Sequence, residues 1–213
     1  MILLAGASGY IGSRLLRRLE QLEVPVRCLA RDPRNLRSRG FKSEVVQADL
    51  KSGEDLDAAF AGVDTAYYLV HSMNDGSDFQ ELVRACALNF AKAAHQSGVR
   101  RIVYLGGLVQ GEQLSPHMQS RVEVGELLRA SGIPVVELRA SIVIGSGSAS
   151  FEMIRALVER LPLMVTPRWV RVQAQPIAIE DVTEYLLQAR ELPDSGSMIV
   201  EIGGRDVTSY LGI

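Results

Sequence analysis

The chain has 213 residues, 47% of them hydrophobic and 23% charged, with a formal net charge of −2. That length supports one well-buried core, and the near-neutral balance provides no basic field to hold nucleic acid. No stretch reaches the roughly 20 apolar residues that span a bilayer, and the first apolar run, "ILLAGA", lacks the basic flank of a secretory signal. A cytoplasmic protein with no membrane partner is therefore expected.

Strand-like and helical patterns alternate along the chain. Residues 1–5 ("MILLA") read as a buried strand, and 10–22 as an amphipathic helix. "PVRCLA" (25–30) is a strand, after which Asp32-Pro33 suits the start of a short helix. A strand at 44–48, a helix at 53–61 and a strand at 63–70 follow. A long helix over 78–97 stops at Gly98. A strand at 101–107, a helix at 117–131 ending at Gly132, and a strand at 134–141 continue the rhythm. Residues 149–161 read as a helix ended by Pro162, 179–191 as a helix opening on Glu180-Asp181, and 197–204 as a strand. Continuous apolar strands alternating with helices imply an α/β fold, a doubly wound parallel sheet covered on both faces. "LPLMVTPRWVRVQAQP" (161–176), with Trp169 between Arg168 and Arg171, breaks the pattern. Residues 145–176 and the C-terminal segment are read as a small substrate-side lobe on a single domain covering 1–213. "GGRDVTSYLGI" opens what reads as a further element, so a longer protein is expected.

Gly6, Gly9 and Gly12 lie between the first strand and its helix. In that setting the first glycine permits a sharp turn. The second admits a pyrophosphate to the backbone, and the third lets helix and sheet approach closely. The loop Gly6, Ser8, Gly9, Tyr10, Ile11 and Gly12 is therefore read as a dinucleotide cradle, with the helix N-terminus facing the phosphates. The second strand ends at "ARDPR", where two readings compete. Asp32 can take ribose hydroxyls, or Arg31 and Arg34 can clasp a 2′-phosphate. Because Asp32 precedes Pro33, helix capping suits it better, and NADP(H) is favoured over NAD(H). Arg37 and Arg39 read as a solvated face. Asp49 and Leu50 are an adenine contact or a polar turn.

The remaining candidates sit at strand ends, where such sheets bind ligands. Leu69, Val70 and His71 would run beside the cofactor ribose, with Ser72 on the substrate side. Tyr67 and Tyr68 alternate across the strand and read as core. Arg139 and Ser141 end the sixth strand as substrate contacts, although Arg139 equally suits a salt bridge to Glu137 or Glu180. "GSGSASF" (145–151) is an anion loop or a connection. Cys28 and Cys86 fit no metal or redox spacing and read as small buried residues. His71, His95 and His117 share no metal-binding spacing, and no nucleophile elbow is present.

Together, "GASGYIG", "ARDP", "ADL", "GVDTAYYLVHSM", "VRRIVYLGGL" and "QPIAIEDVTEYL" resemble the extended and atypical branches of the short-chain dehydrogenase/reductase superfamily. Those branches include sugar-nucleotide epimerases and NmrA-like proteins. "SASFEMIRALVERLPLMVTPRWV" is similar to a bacterial NAD(P)H-binding subgroup that continues into a further C-terminal domain. The resemblance implies a Rossmann fold with Leu105, Gly106 and Gly107 beside the cofactor. It also implies dimerisation through helices, for which "LVRACALNFAKAA" is apolar enough, as it is for the core. The superfamily's Ser, Tyr and Lys do not carry over. Gly106-Gly107 stands at the Ser, and His117-x-x-x-Arg121 stands at the Tyr-x-x-x-Lys. His117 and Arg121, sharing a helix face, are the candidate catalytic pair, with imidazole as acid. Three functions follow: an atypical reductase, an NADP(H)-sensing module, and, least suited without the triad, an epimerase or dehydratase. No metal is expected.

Overall fold

The computed structural model describes residues 1–70, 79–109, 114–148 and 172–209, with positions 151, 152, 155, 156, 159 and 212. In chain order the elements are β1 (Ile2–Ala5), α1 (Tyr10–Gln21), β2 (Val26–Ala30), α2 (Arg34–Arg37), β3 (Glu44–Gln47) and α3 (Leu56–Phe60). β4 (Thr65–Tyr68), α4 (Phe79–Gln96), β5 (Arg101–Gly107), α5 (Pro116–Arg129) and β6 (Val135–Ala140) follow. The C-terminal part holds β7 (Val143–Ile144), β8 (Gln173–Ala174), β9 (Ile177–Ala178), α6 (Ile179–Ala189), β10 (Met198–Ile202) and β11 (Thr208–Ser209). His71, Ser72 and Trp169 lie outside the described residues. The expected helix over 149–161 is described only at 151, 152, 155, 156 and 159, all helical.

The main sheet runs β3-β2-β1-β4-β5-β6-β10, with every pairing parallel. This is the doubly wound order, extended by one strand beyond β6. Its strands are apolar throughout because both faces are covered. Leu3, Ala5, Ala66 and Tyr68 face the core under α3, α4 and α5. Ile2, Leu4, Cys28 and Tyr67 face the core under α1 and α6. The strand order reverses between β1 and β4, which opens a crevice at the carboxyl ends of the strands. A parallel pair β7-β9 and an antiparallel pair β8-β11 form small sheets outside the main one.

The two tyrosines of β4 are core, as their alternation implies. Tyr67 donates to the Leu186 carbonyl at 2.9 Å and ties the sheet to α6. Tyr68 packs edge-on against Phe90 at 4.9 Å between ring centres. Both cysteines are free. Burial pushes the Cys28 thiol up to about 12 and also raises that of Cys86, so neither is an activated nucleophile. The expected helix at 53–61 is shorter and starts at Leu56. A tight turn takes its first residues, with Gly53 at φ +79° and Asp55 at φ +58°.

One polar latch fixes the entry to β3. A single Glu20 oxygen accepts the backbone N–H groups of Lys42 and Ser43, both at 2.8 Å, and the Ser43 hydroxyl at 2.7 Å. Burial alone would raise the Glu20 carboxyl, but these bonds and the Lys42 charge outweigh it and hold it below its usual range. A depressed carboxyl stabilises the fold above its unfolded pKa and loses that contribution as pH falls through the folded value. Glu20→Gln is therefore expected to cost about 1–2 kcal/mol at neutral pH. The gap to the parent should close as pH falls below about 4, the range of an ordinary glutamate. Urea melts at both pH values check this, and a gap that widens in acid would contradict it.

Candidate functional site

The turn after β1 is built so closely that side chains are excluded from it. Gly6 has φ +92°, and a Cβ there would overlap the Leu69 carbonyl of the neighbouring strand's end. A Cβ on Gly12 would overlap the Gly6 carbonyl. The Gly9 N–H donates to that same carbonyl at 3.0 Å and closes the turn. Gly9 then caps α1, so the N–H groups of Tyr10, Ile11 and Gly12 lie in a first helical turn that has no intrahelical acceptors for them. A Cβ on Gly9 would meet only the Gly6 oxygen, at 3.2 Å.

A groove of about 460 Å³ opens over this turn. Gly6, Ser8 and Gly9 form its floor, and Leu29, Leu50, Leu69 and Val70 its apolar walls. Arg31, Asp32 and Asn35 lie at the end of β2. Leu50 is held in place from α4, where the Asn89 amide donates to the Leu50 carbonyl at 2.8 Å. Its neighbour Asp49 takes the turn role. The Asp49 carboxylate accepts the Lys51 N–H at 2.9 Å, and it does not line the groove.

The structure redistributes the charged residues after β2. Asp32 does the capping job: one oxygen accepts the Arg34 N–H at 3.0 Å. The carboxylate also holds the Arg34 guanidinium, at 2.9 Å for both the Nε and Nη2 donors. These Arg34 bonds keep the Asp32 carboxyl below its usual range. Arg34 is thus folded onto Asp32 and does not line the groove, whereas Arg31 does. Arg39 is exposed, as expected of a solvated face, and it also makes a long-range contact. It reaches back over the glycine turn and donates to the Ser8 carbonyl at 2.8 Å.

Past β5, a second cavity of about 240 Å³ lies beneath α5. Gly107, Met118, Arg121 and Ser141 line it with Ser115, Gln173 and apolar Leu108, Leu114, Ala140 and Val172. Gly107 makes this packing possible, since a Cβ there would come within 2.9 Å of the Met118 sulfur and 3.4 Å of Arg121 Cδ. Leu105 and Gly106 do not reach either cavity. β5 continues through Gly107, so both are buried within the sheet.

Of His117 and Arg121, Arg121 alone is among the residues lining this cavity. The His117 ring is exposed and packs edge-on against Phe79 of α4 at 5.1 Å. Among the described residues no hydrogen bond or ion pair engages the Arg121 guanidinium. Arg139 takes the ion-pair option. It binds the buried Glu137 carboxylate at 2.7 Å, which Arg129 holds from the other side. Ser141 stays at the cavity, and its hydroxyl accepts the Gln175 N–H at 3.4 Å.

The side chain of Tyr10 turns away from the cradle toward the loop after β7. A Cβ on Gly145 would lie 2.7 Å from the Tyr10 hydroxyl. Arg14 covers the Tyr10 ring at 4.0 Å and donates to the Ser146 carbonyl at 2.5 Å. Burial raises the Tyr10 phenol, against the lowering effect of Arg14. Two of the loop's N–H groups are occupied, Ser148 by the Gly145 carbonyl at 3.0 Å and Gly147 by Glu152 at 3.4 Å. At these residues the loop braces α1.

A family model described as NAD(P)H-binding matches residues 6–143. The chain belongs to that NAD(P)H-binding family, and its doubly wound parallel sheet is a Rossmann-like fold. It is 31% identical over 183 residues to the (4-alkanoyl-5-oxo-2,5-dihydrofuran-3-yl)methyl phosphate reductase of Streptomyces griseus subsp. griseus, covering 82% of this chain and 61% of that protein. It is 33% identical over 111 residues to the NAD(P)H azoreductase of Xenophilus azovorans, covering 51% of this chain and 36% of that one. The chain thus spans about three-fifths and about a third of these relatives' lengths. Among solved structures, MoeE5 in complex with UDP-glucose and NAD superposes with a TM-score of 0.80 at 20% identity, covering 99% of this chain and 78% of that one. A dTDP-glucose 4,6-dehydratase from Streptomyces venezuelae with NAD bound gives 0.80 at 19%, covering 100% and 78%. At these identities the two structures speak for the fold alone.

Proposed function

We propose that this chain is an NADPH-dependent reductase of an electron-poor small molecule, working without the superfamily's Tyr–Lys proton relay. The observation that carries the reading is the glycine turn, where Gly6 and Gly12 leave no room for a Cβ, under a groove of about 460 Å³. Gly6, Ser8, Gly9 and the first-turn N–H groups of Tyr10, Ile11 and Gly12 would hold the pyrophosphate. Leu50, Leu69 and Val70 would enclose the adenosine. The phosphorylated cofactor is favoured because Asp32, the acceptor for ribose hydroxyls, is already occupied by Arg34. When bound, the cofactor supplies a hydride.

The chain's own contribution to the chemistry centres on Arg121. Its guanidinium lines the second cavity with no described carboxylate beside it, so it can stabilise negative charge developing on a substrate oxygen. The Ser141 hydroxyl is placed to assist. The described lining residues hold no imidazole, phenol or carboxyl, and water would supply the proton. Substrates whose reduced product carries charge on a carbonyl oxygen, such as conjugated enones and quinones, fit this arrangement. The first relative named above is a reductase, which supports the reading.

Arg121→Ala is expected to lower kcat/KM by about 10²-fold, the scale of one lost oxyanion donor. His117→Ala should stay within about twofold, since its ring lies against Phe79. NADPH oxidation over a panel of enones and quinones measures both, and the reverse ranking would restore His117 as the acid. A second reading, an NADP(H)-sensing module, is favoured by that same lack of a proton donor. Tight NADPH binding with no turnover on any substrate of the panel would select it.

A further inference from the structure

We infer that Arg39, and not Arg34, is the cation that makes the adenosine end of this groove selective for a 2′-phosphate. The inference rests on the dinucleotide reading above and deepens it. Two arginines near the end of β2 point to different places. Arg34 closes a bidentate pair on Asp32, two residues away, with its own side chain 89% exposed. As a pair they add no net charge to the rim. Arg39 lies beyond α2 in sequence and stands outside the groove lining, yet its Nη1 donates across the turn to the carbonyl of Ser8, a residue that does line the groove.

That bond has two consequences. It brings a permanent positive charge beside the loop that would carry the phosphates. It also uses one of the five N–H donors of the guanidinium, and among the described residues no carboxylate pairs with Arg39. Arg31 lines the same groove with no described acidic partner. Two uncommitted guanidiniums, beside a mutually neutralised Asp32–Arg34 pair, match a phosphate carrying nearly two negative charges at neutral pH. The unphosphorylated cofactor offers only neutral hydroxyls there, and the carboxylate that would accept from them is engaged by Arg34. The bond to Ser8 also restricts the long Arg39 side chain in advance, so less freedom is lost when a phosphate arrives.

The test is a calorimetric titration of the parent, Arg39→Ala, Arg39→Lys and Arg34→Ala with NADPH and NADH. It is repeated with 2′,5′-ADP and 5′-AMP as fragments that differ by the 2′-phosphate. Arg39 is exposed, so melting temperatures should not move. Arg39→Ala should weaken NADPH and 2′,5′-ADP by about tenfold or more, leaving NADH and 5′-AMP within about twofold. Arg39→Lys should recover only part, because an ammonium lacks the fork that engages the Ser8 carbonyl and a phosphate together. Arg34→Ala should change the preference less than Arg39→Ala does. Equal weakening of both fragments in Arg39→Ala would overturn the assignment and leave Arg39 as a brace of the glycine turn. A larger loss in Arg34→Ala would overturn it in favour of Arg34. A parent that binds neither cofactor would overturn the dinucleotide reading itself, and this assignment with it.

Discussion

Glu137→Ala is expected to lower stability by about 3–5 kcal/mol, the range for leaving buried ionic partners unpaired. Glu137 sits on β6 with its side chain 1% exposed. Arg139 binds one oxygen at 2.7 Å, and Arg129 reaches the other from the end of α5. The surrounding backbone is shaped around this carboxylate. A Cβ on Gly106 would come within 3.3 Å of it, and one on Gly125 would overlap it. Removing the anion leaves two guanidiniums facing each other in a space with little water. Arg129 is on the helix surface and can swing outward, being 23% exposed. Arg139 stands on a central strand at 15% and cannot. The cost should therefore fall mainly on Arg139, so Arg129→Ala should be milder than Arg139→Ala. Replacing all three residues by leucine should recover much of the loss, because desolvation of the whole cluster offsets much of its attraction. Urea unfolding at constant m-value measures the series. A loss below about 1 kcal/mol in Glu137→Ala would mean that water already reaches the cluster.

How far the site was legible in the sequence depended on how local each cause was. The glycine turn and the doubly wound sheet follow from short-range patterns: apolar runs, helix stops and three glycines at a strand–helix junction. The Glu137–Arg139 pair was one of two open options, because residues two apart on a strand share a face. The Asp32–Arg34 contact carried a readable signal too, since Asp before Pro bonds the N–H two residues on. Its second grip, on the guanidinium, did not. Arg39 was unreadable because its partner, Ser8, is 31 residues away and the path of the chain after α2 decides the reach. His117 and Arg121 part for a related reason. Helical spacing places both on one side of α5, but Phe79 of α4 draws the imidazole to a neighbour that no local rule could supply. The bounds of β5, 101–107, were readable from its apolar run, whereas the placing of Leu105 and Gly106 beside a cofactor came from the resemblance alone.

The three glycines of the turn are expected to separate packing from binding. Gly12→Val should cost about 1–3 kcal/mol by overpacking and weaken NADPH by about a hundredfold, a change of about 2.8 kcal/mol. Its Cβ would overlap the Gly6 carbonyl and lie 3.1 Å from Ala7 Cα. Both are backbone atoms, so α1 as a whole must move away from β1. The first-turn N–H groups then lose their aim. Gly6→Ala should fail in the same way, with the added strain of its φ of +92°. Gly9→Ala is the informative contrast. Gly9 has φ −71° and ψ 172°, a conformation open to any residue. Its added Cβ would meet only the Gly6 oxygen, at 3.2 Å, which a shift of a few tenths of an ångström relieves. Stability should therefore stay within about 1 kcal/mol of the parent. The new methyl group would nonetheless stand at the floor of the groove, where a pyrophosphate must approach the backbone. NADPH affinity should fall by about tenfold or more while the fold survives, a separation that one thermal melt and one titration per variant reveal. If Gly9→Ala binds NADPH as the parent does, the approach of a pyrophosphate does not depend on a bare backbone at this position. The phosphates must then be held elsewhere on the groove wall.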